Sequence, residues 1–465
     1  MITGPENPPD AATRAGTPDM FEYSTDRLHE IAAEVLEVAR QLGASDAAVD
    51  VSESGGMSVS VRKGQVETLE QTRDKGVGVT VYLGQCRGNA STTDFTSSAL
   101  RDTVAAAYQI ARHTSADDCA GLPDADTLAR EQPDLDLFHA WDISVDDAIA
   151  LARRTEAAGL ATSPLIRNSE GASVSVHHGQ FVVANSLGFK GGYPYSRHSL
   201  GCSLIAERAG AMQRDDWYTS SVVPARLADP GKLGRYAAER ALSRLGARRL
   251  STRKVPVLFE APLACGLLGH FVQAASGGAL YRRTSFLVDA LGKDIFAPHL
   301  DVVEDPAIPA EIGSSPFDSE GVGAQRRAVV AGGRLHGYFL STYSARKLGM
   351  KTTGNAGGSH NLSLTSRLTR QLDDLPAMLE RLGTGLFVTD LMGHGVNYVT
   401  GDCSRGASGF WVEGGRIRYP VEEITIAGTL PEMFRGIVAV GSDVIQRGGK
   451  RTGSVLIDRM SVAGN

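Results

Sequence analysis

Apolar residues recur at helical spacing near the start of the chain. Leu28, Ile31, Val35, Val38 and Leu42 fall on one face of a helix that Gly43 ends. Downstream the period changes to two. Alternating runs at 58–61, 66–69 and 77–83 are separated by Lys63-Gly64-Gln65 and Asp74-Lys75-Gly76, which predicts short antiparallel strands joined by tight turns. The same order of events then returns. Ser144 and Asp147 form a capping-box pattern that opens another helix, and alternating runs at 173–176 and 181–184 flank a turn expected at His178-Gly179-Gln180. SGGMSVSVRKGQV (54–66) aligns without gaps to SEGASVSVHHGQF (169–181), identical at eight positions of thirteen and offset by 115 residues (169 − 54). The pattern predicts one helix-plus-antiparallel-meander unit made twice. A further helical pattern, 98–113, lies between the copies, and the Asp- and Pro-rich stretch 116–142 reads as a connecting loop.

A second domain is expected from residue 251. The apolar strand 255–259 leads into a helix with Pro262 near its first turn, a position where proline costs no hydrogen bond. Two later hairpins share a Gly-Gly turn, VAGGRL (330–335) and VEGGRI (412–417), and 373–382 is a short amphipathic helix stopped by Gly383. The expected fold class is therefore α+β. A duplicated helix-plus-meander domain fills 24–250, and an antiparallel, partly barrel-like β domain with a few helices fills 251–465. The first 23 residues, rich in Pro, Asp, Thr and Gly without an apolar run, are expected to be a disordered tail.

Composition narrows the function classes. A chain of 465 residues exceeds one ordinary core, and 53 glycines, well above the usual share of about 7%, fit many tight turns. The net charge of −6 argues against a nucleic-acid partner; Arg326-Arg327 and Lys450-Arg451 are short and sit in turn-rich settings. Five cysteines (Cys86, Cys119, Cys202, Cys265, Cys403) are far apart with no CxxC pair, which fits free thiols in a reducing compartment. No window approaches the roughly 18 apolar residues that span a bilayer. No membrane association and a cytoplasmic location are the expectations.

The stretch 389–428, TDLMGHGVNYVTGDCSRGASGFWVEGGRIRYPVEEITIAG, mixes many glycines with irregularly placed aromatics and charges. Two readings stand side by side: a backbone shaped around a ligand, or a tightly turned hairpin packed on its own domain. This block resembles the C-terminal signature of the TldD/PmbA family, in its PmbA (TldE) branch. SGGALYRRTSFLVDALGK (276–293), SSPFDSEGV (314–322) and STYSARKLGMKTTGNAGG (341–358) resemble that branch as well, in the same order. The resemblance implies membership of a metallopeptidase family and a heterodimer with a TldD-type subunit, the two together enclosing an unfolded peptide. It also implies that Asp402, Arg405, Phe410 and Trp411 are candidates for peptide or partner contact.

The catalytic TldD branch carries HExxxH on a helix and a further Cys ligand near the C-terminus. Two imidazoles hold zinc, and the Glu acts as base on the bound water. Here the matching helix reads APLACGLLGHFVQAAS (261–276). With His270 as the closing histidine, Cys265 stands where the first His belongs and Gly266 where the Glu belongs; residues 448–465 hold no Cys. This implies no metal site in this chain, zinc in the partner subunit instead, and no activity alone. Two alternatives remain open. One is a self-sufficient hydrolase built on Cys265 and His270, or on Cys403 with a histidine such as His394; the other is a homodimeric peptide-binding scaffold. Other signatures fail: His29-Glu30 has no second His at motif spacing, Gly406-Ala407-Ser408-Gly409 is not a GxSxG elbow, and Gly393-His394-Gly395 is an incomplete dinucleotide fingerprint.

Overall fold

A computed structural model describes residues 20–464, in two compact units. Residues 1–19 of the expected tail lie outside the described part. Just after them, Glu22 and Tyr23 donate their backbone N–H groups to the Glu53 carboxylate at 2.6 and 3.2 Å.

The first unit comprises 20–117, 136–207 and 212–242. Its elements are α1 (Thr25–Gln41), β1 (Asp46–Arg62), β2 (Gln65–Leu83), β3 (Cys86–Thr92), α2 (Ser97–His113), α3 (Val145–Leu160), β4 (Ile166–Asn185), β5 (Lys190–Arg208), β6 (Ala211–Ser221) and α4 (Pro230–Ser243). Ser24 and Ser144 cap α1 and α3 by accepting the backbone N–H of Arg27 and Asp147. The strands form one sheet in the order β3-β2-β1-β4-β5-β6. Leu28, Ile31 and Val35 of α1 and Leu100 and Val104 of α2 bury against Val49, Val51, Val79 and Val81, each such side chain worth ~1.5–3 kcal/mol of burial. The repeat explains the strand order. β1 pairs antiparallel with β4, and Val59 faces Val174, its own counterpart at the 115-residue offset. The two copies therefore meet about a local dyad.

Two of the expected turns are strand instead. Asp74, Lys75 and Gly76 pair with Ser54, Glu53 and Ser52 inside the 19-residue β2. His178, Gly179 and Gln180 pair with β1 on one side and β5 on the other. Continuous ladders outweigh a weak local turn preference. Gly179 is needed for packing: an added Cβ would lie 2.6 Å from the Tyr195 ring. The true hairpin is Lys63-Gly64, both at positive φ.

The second unit comprises 118–135, 208–211 and 243–464. Its elements are β7 (Arg253–Phe259), α5 (Ala261–Ala274), α6 (Gly277–Tyr281), β8 (Leu300–Asp305), β9 (Arg327–Ala331), β10 (Arg334–Leu335), α7 (Thr342–Lys347), β11 (Asn361–Ser366), α8 (Leu375–Leu382), β12 (Gly385–Met392), β13 (Asp402–Glu413), β14 (Arg416–Thr429), α9 (Leu430–Arg435), β15 (Ile437–Val440), β16 (Ile445–Arg447), β17 (Lys450–Thr452) and β18 (Val455–Ala463). One sheet runs β10-β9-β8-β11-β17-β16. The other runs β14-β13-β12-β7-β18 and closes on itself where β14 pairs β18, so five strands make a barrel, with β15 appended to β18. Both Gly-Gly turns sit as expected, with Gly332, Gly333, Gly414 and Gly415 all at positive φ. Pairing is antiparallel except β7–β12 and β11–β17; the long excursion from α5 to α8 supplies the crossover that parallel neighbours require. Phe259, Leu268, Phe271, Val388, Ile426 and Phe434 belong to a single core shared by the barrel and α5.

Candidate functional site

Helix α5 is apolar along most of its length, which is why it lies in the core with Ala264, Cys265, Leu267, Leu268, Phe271 and Ala274 buried. Cys265 points at the β16–β17 hairpin. Its thiol donates weakly to the carbonyl oxygens of Ile445 (3.6 Å) and Lys450 (3.5 Å). Burial pushes this thiol above its ordinary range, against the smaller pull of Arg447 and Lys450. A thiol held protonated and turned toward carbonyls is a poor nucleophile. Gly266, in the place of the base, is exposed with open space around its α-carbon. His270 lies five residues on, about 140° further round a helix that turns about 100° per residue. Its Nδ1 sits 2.9 Å from the Tyr398 hydroxyl, and the two rings lie 6.0 Å apart. Burial lowers the His270 pKa, and Arg405 lowers it further. Cys265 and His270 therefore serve different neighbours. Among the described residues no three His, Cys, Asp or Glu side chains gather as a metal would need. The side chains present do not fit the zinc centre of the catalytic branch: one helix position is occupied by a tied thiol, and the base has no counterpart.

Strand β13 holds the remaining candidates. Cys403 is buried, and burial raises its thiol pKa against the opposing charge of Arg405. Among the described residues it bonds to no histidine; its backbone pairs with Gly428 of β14 and, by an isolated bridge, with Val396. Asp402 is exposed and accepts the Thr400 hydroxyl at 2.6 Å. Arg405 stands two residues from Cys403 and so on the same side of the strand. Its Nη2 donates to the Leu391 carbonyl at 3.3 Å, while its buried Nε has no partner.

A bulge between Ala407 and Gly409 then shifts the register. Beyond it the strand is buried on both faces, so the two following aromatics enter different clusters on opposite sides. Phe410 stacks on Phe387 at 6.1 Å in a small cluster with Met378 and Leu382. Trp411, 3% exposed, joins the main core, donates Nε1–H to Glu413 at 2.8 Å and carries Arg253 over its ring. Expected as ligand contacts, Phe410 and Trp411 are packing residues of this chain. Beside them Arg244, nearly buried, donates to Ser408 and to Asp390 (3.2 Å).

Residues of two of the other stretches that carried the resemblance, 314–322 and 341–358, join Glu304 and Arg327 in a polar knot. Glu304, 1% exposed, accepts Arg327 Nε at 2.8 Å, Asn355 Nδ2 at 2.8 Å and the His360 backbone N–H at 2.9 Å. The Asp318 carboxylate accepts the backbone N–H groups of Glu320, Val322 and Ala356, and Glu320 accepts that of Thr342 at the start of α7. These bonds tie loops far apart in the sequence to one another. Tyr398 was not a candidate in the sequence. It stands in the glycine-rich block, but no spacing rule links it to a helix 128 residues upstream.

Comparison with known proteins follows this geometry. Three family models match in order: PmbA/TldA metallopeptidase domain 1 over 47–111, the central domain over 138–245 and the C-terminal domain over 252–464. The chain is 47% identical to the metalloprotease PmbA homolog of Haemophilus influenzae, covering 96% of this chain and 98% of that one. It is 48% identical to metalloprotease PmbA of Escherichia coli O157:H7, covering 94% and 96%. The metalloprotease TldD homolog of the same Haemophilus is 28% identical over 44% of this chain. A crystal structure from Bacteroides thetaiotaomicron, solved under a provisional name as a DNA gyrase modulator, superposes with a TM-score of 0.89 at 26% identity, covering 95% of this chain and all of that one.

Proposed function

Because the chain belongs to the PmbA/TldD metallopeptidase family and resembles its PmbA members along almost its whole length, we propose that it is the non-catalytic or regulatory subunit of a TldD/TldE-type zinc metallopeptidase. The observation that carries this reading is helix α5, where Cys265 is bonded into the β16–β17 hairpin and Gly266 offers no carboxylate. In this proposal zinc, its activated water and the base belong to a TldD-type partner subunit. This chain completes a chamber and helps hold an unfolded peptide, for degradation or for removal of a leader segment. An extended peptide gains main-chain hydrogen bonds at a sheet edge whatever its sequence. The setting proposed is the cytoplasm; among the described residues no helix is long and apolar enough to cross a membrane.

The test is zinc content of the purified chain together with a peptide digest, with and without the TldD-type subunit. The expected result is cleavage only in the mixture, abolished by a chelator. Stoichiometric zinc and chelator-sensitive cleavage by this chain alone would favour the self-sufficient hydrolase and overturn the proposal. Light scattering on the mixture separates the remaining reading: absence of a mixed species points to a homodimeric scaffold.

A further inference from the structure

Among the described residues Arg405 has no acidic partner. Three other arginines of the second unit do: Arg244 has Asp390, Arg327 has Glu304, Arg381 has Asp373. Arg405 makes one side-chain hydrogen bond, to a backbone carbonyl, and forms no ion pair with any described residue, while its Nε is shut away from water unpartnered. The guanidinium is partly withdrawn from water with no counter-charge among the described residues, an arrangement that an anion from elsewhere would suit. The surroundings suit one. On the same side of β13 lies Cys403, packed with Tyr398 on the core that α5 shares. Tyr398 in turn bonds His270, which leaves Nε2 on the far side of a ring oriented by that hydroxyl. Arg405 also lies within electrostatic reach of both His270 and Tyr398. Next to this group the loop leaving β12 exposes two large apolar side chains, Met392 (50%) and Val399 (55%), as a peptide-binding rim would.

Resting on the subunit reading given above, we infer that Arg405, with the His270–Tyr398 pair beside it, binds a carboxylate group of the peptide substrate. Arginine supplies a planar fork matched to a carboxylate, and a charge-assisted bond of that kind contributes more than a neutral one. The position matters as well. The residues left at the lost metal helix then act as an anchor for the peptide, holding one end while the partner's centre cuts elsewhere. Two sources carry this group, a free peptide C-terminus and an Asp or Glu side chain.

The experiment is fluorescence anisotropy of a labelled extended peptide on the full chain, alone and with the TldD-type subunit. Four probes are used: a peptide with a free C-terminus, its C-amidated form, and each of these with its acidic side chains changed to amides. The expected result is at least tenfold weaker binding when the recognised carboxylate is amidated, and a similar loss in Arg405→Met. Arg405→Lys keeps the charge but loses the planar fork, so its affinity is expected to fall between those of the unaltered chain and Arg405→Met, and raised salt is expected to weaken binding. Loss on C-amidation alone assigns the terminus, and loss on side-chain amidation alone assigns an acidic residue; both support the site. Equal binding of all four probes would overturn it, and so would unchanged affinity in Arg405→Met. Should that variant not fold, as judged by circular dichroism, the probe series on the unaltered chain decides by itself. Zinc found in this chain would sink the subunit reading but leave the anisotropy result standing, so the two failures are distinguishable.

Discussion

Arg327 and Arg405 lie in the same unit, each with a guanidinium partly withdrawn from water, and they have opposite surroundings. Arg327 donates to Glu304 and Asn355 and lies over the Phe339 ring, within a set of acceptors that are themselves bonded. Arg405 has a carbonyl and an orphaned Nε. A completed polar network ties segments together and leaves nothing for a ligand; an incomplete one is costly to the fold unless a ligand completes it. The contacts of Glu304, Arg327 and Asn355 belong to the first kind. The glycine-rich block belongs partly to the second.

That contrast can be broken by experiment. Glu304→Ala strands the Arg327 charge and two N–H donors in the interior, and we expect it to cost about 3–5 kcal/mol in denaturant unfolding. Arg405→Met removes an unpaired charge, and we expect it to leave stability unchanged or to raise it by about 1 kcal/mol. Equal losses in the two variants would mean that Arg405 is a structural residue after all. The histidine beside it gives a finer measure. His270 has a folded pKa below the ordinary value of 6.5, so its share of stability is present above pH 6.5 and is lost as the pH falls from there through the depressed value. NMR titration should therefore show His270 charging at lower pH than a free histidine. In Arg405→Met its pKa should move up part of the way, burial being the larger cause and remaining in place. The smallest expected effect concerns the thiols. With iodoacetamide at neutral pH, Cys403 and Cys265 should stay unmodified in the folded protein while the partly exposed Cys86 and Cys119 react. Rapid labelling of Cys403 would show instead that Arg405 activates a nucleophile.

Much of the architecture was legible in the sequence, because repeats and periodicity are local properties. The duplication, α1 and the Gly-Gly hairpins could all be read from spacing alone. The long strands could not. Gly76 and Gly179 look like turn residues, and only the ladders and the Tyr195 ring show why each stays extended. The site was half legible. The departure at Cys265 and Gly266 was visible from residue identities, whereas the burial of both Phe410 and Trp411 depends on β13 being covered on both faces, by α8 on one side and the main core on the other. The isolation of Arg405 depends on where every acid in the unit went, and no window of sequence contains that.

The facing of Val59 by Val174 has one more consequence. Since the join between the halves is set by two equivalent residues, sliding one half along the other by a single place would turn the slipped strand's valines outward and its own serines toward the helices. The penalty is the same whichever half slips, so the duplication supplies its own alignment mark.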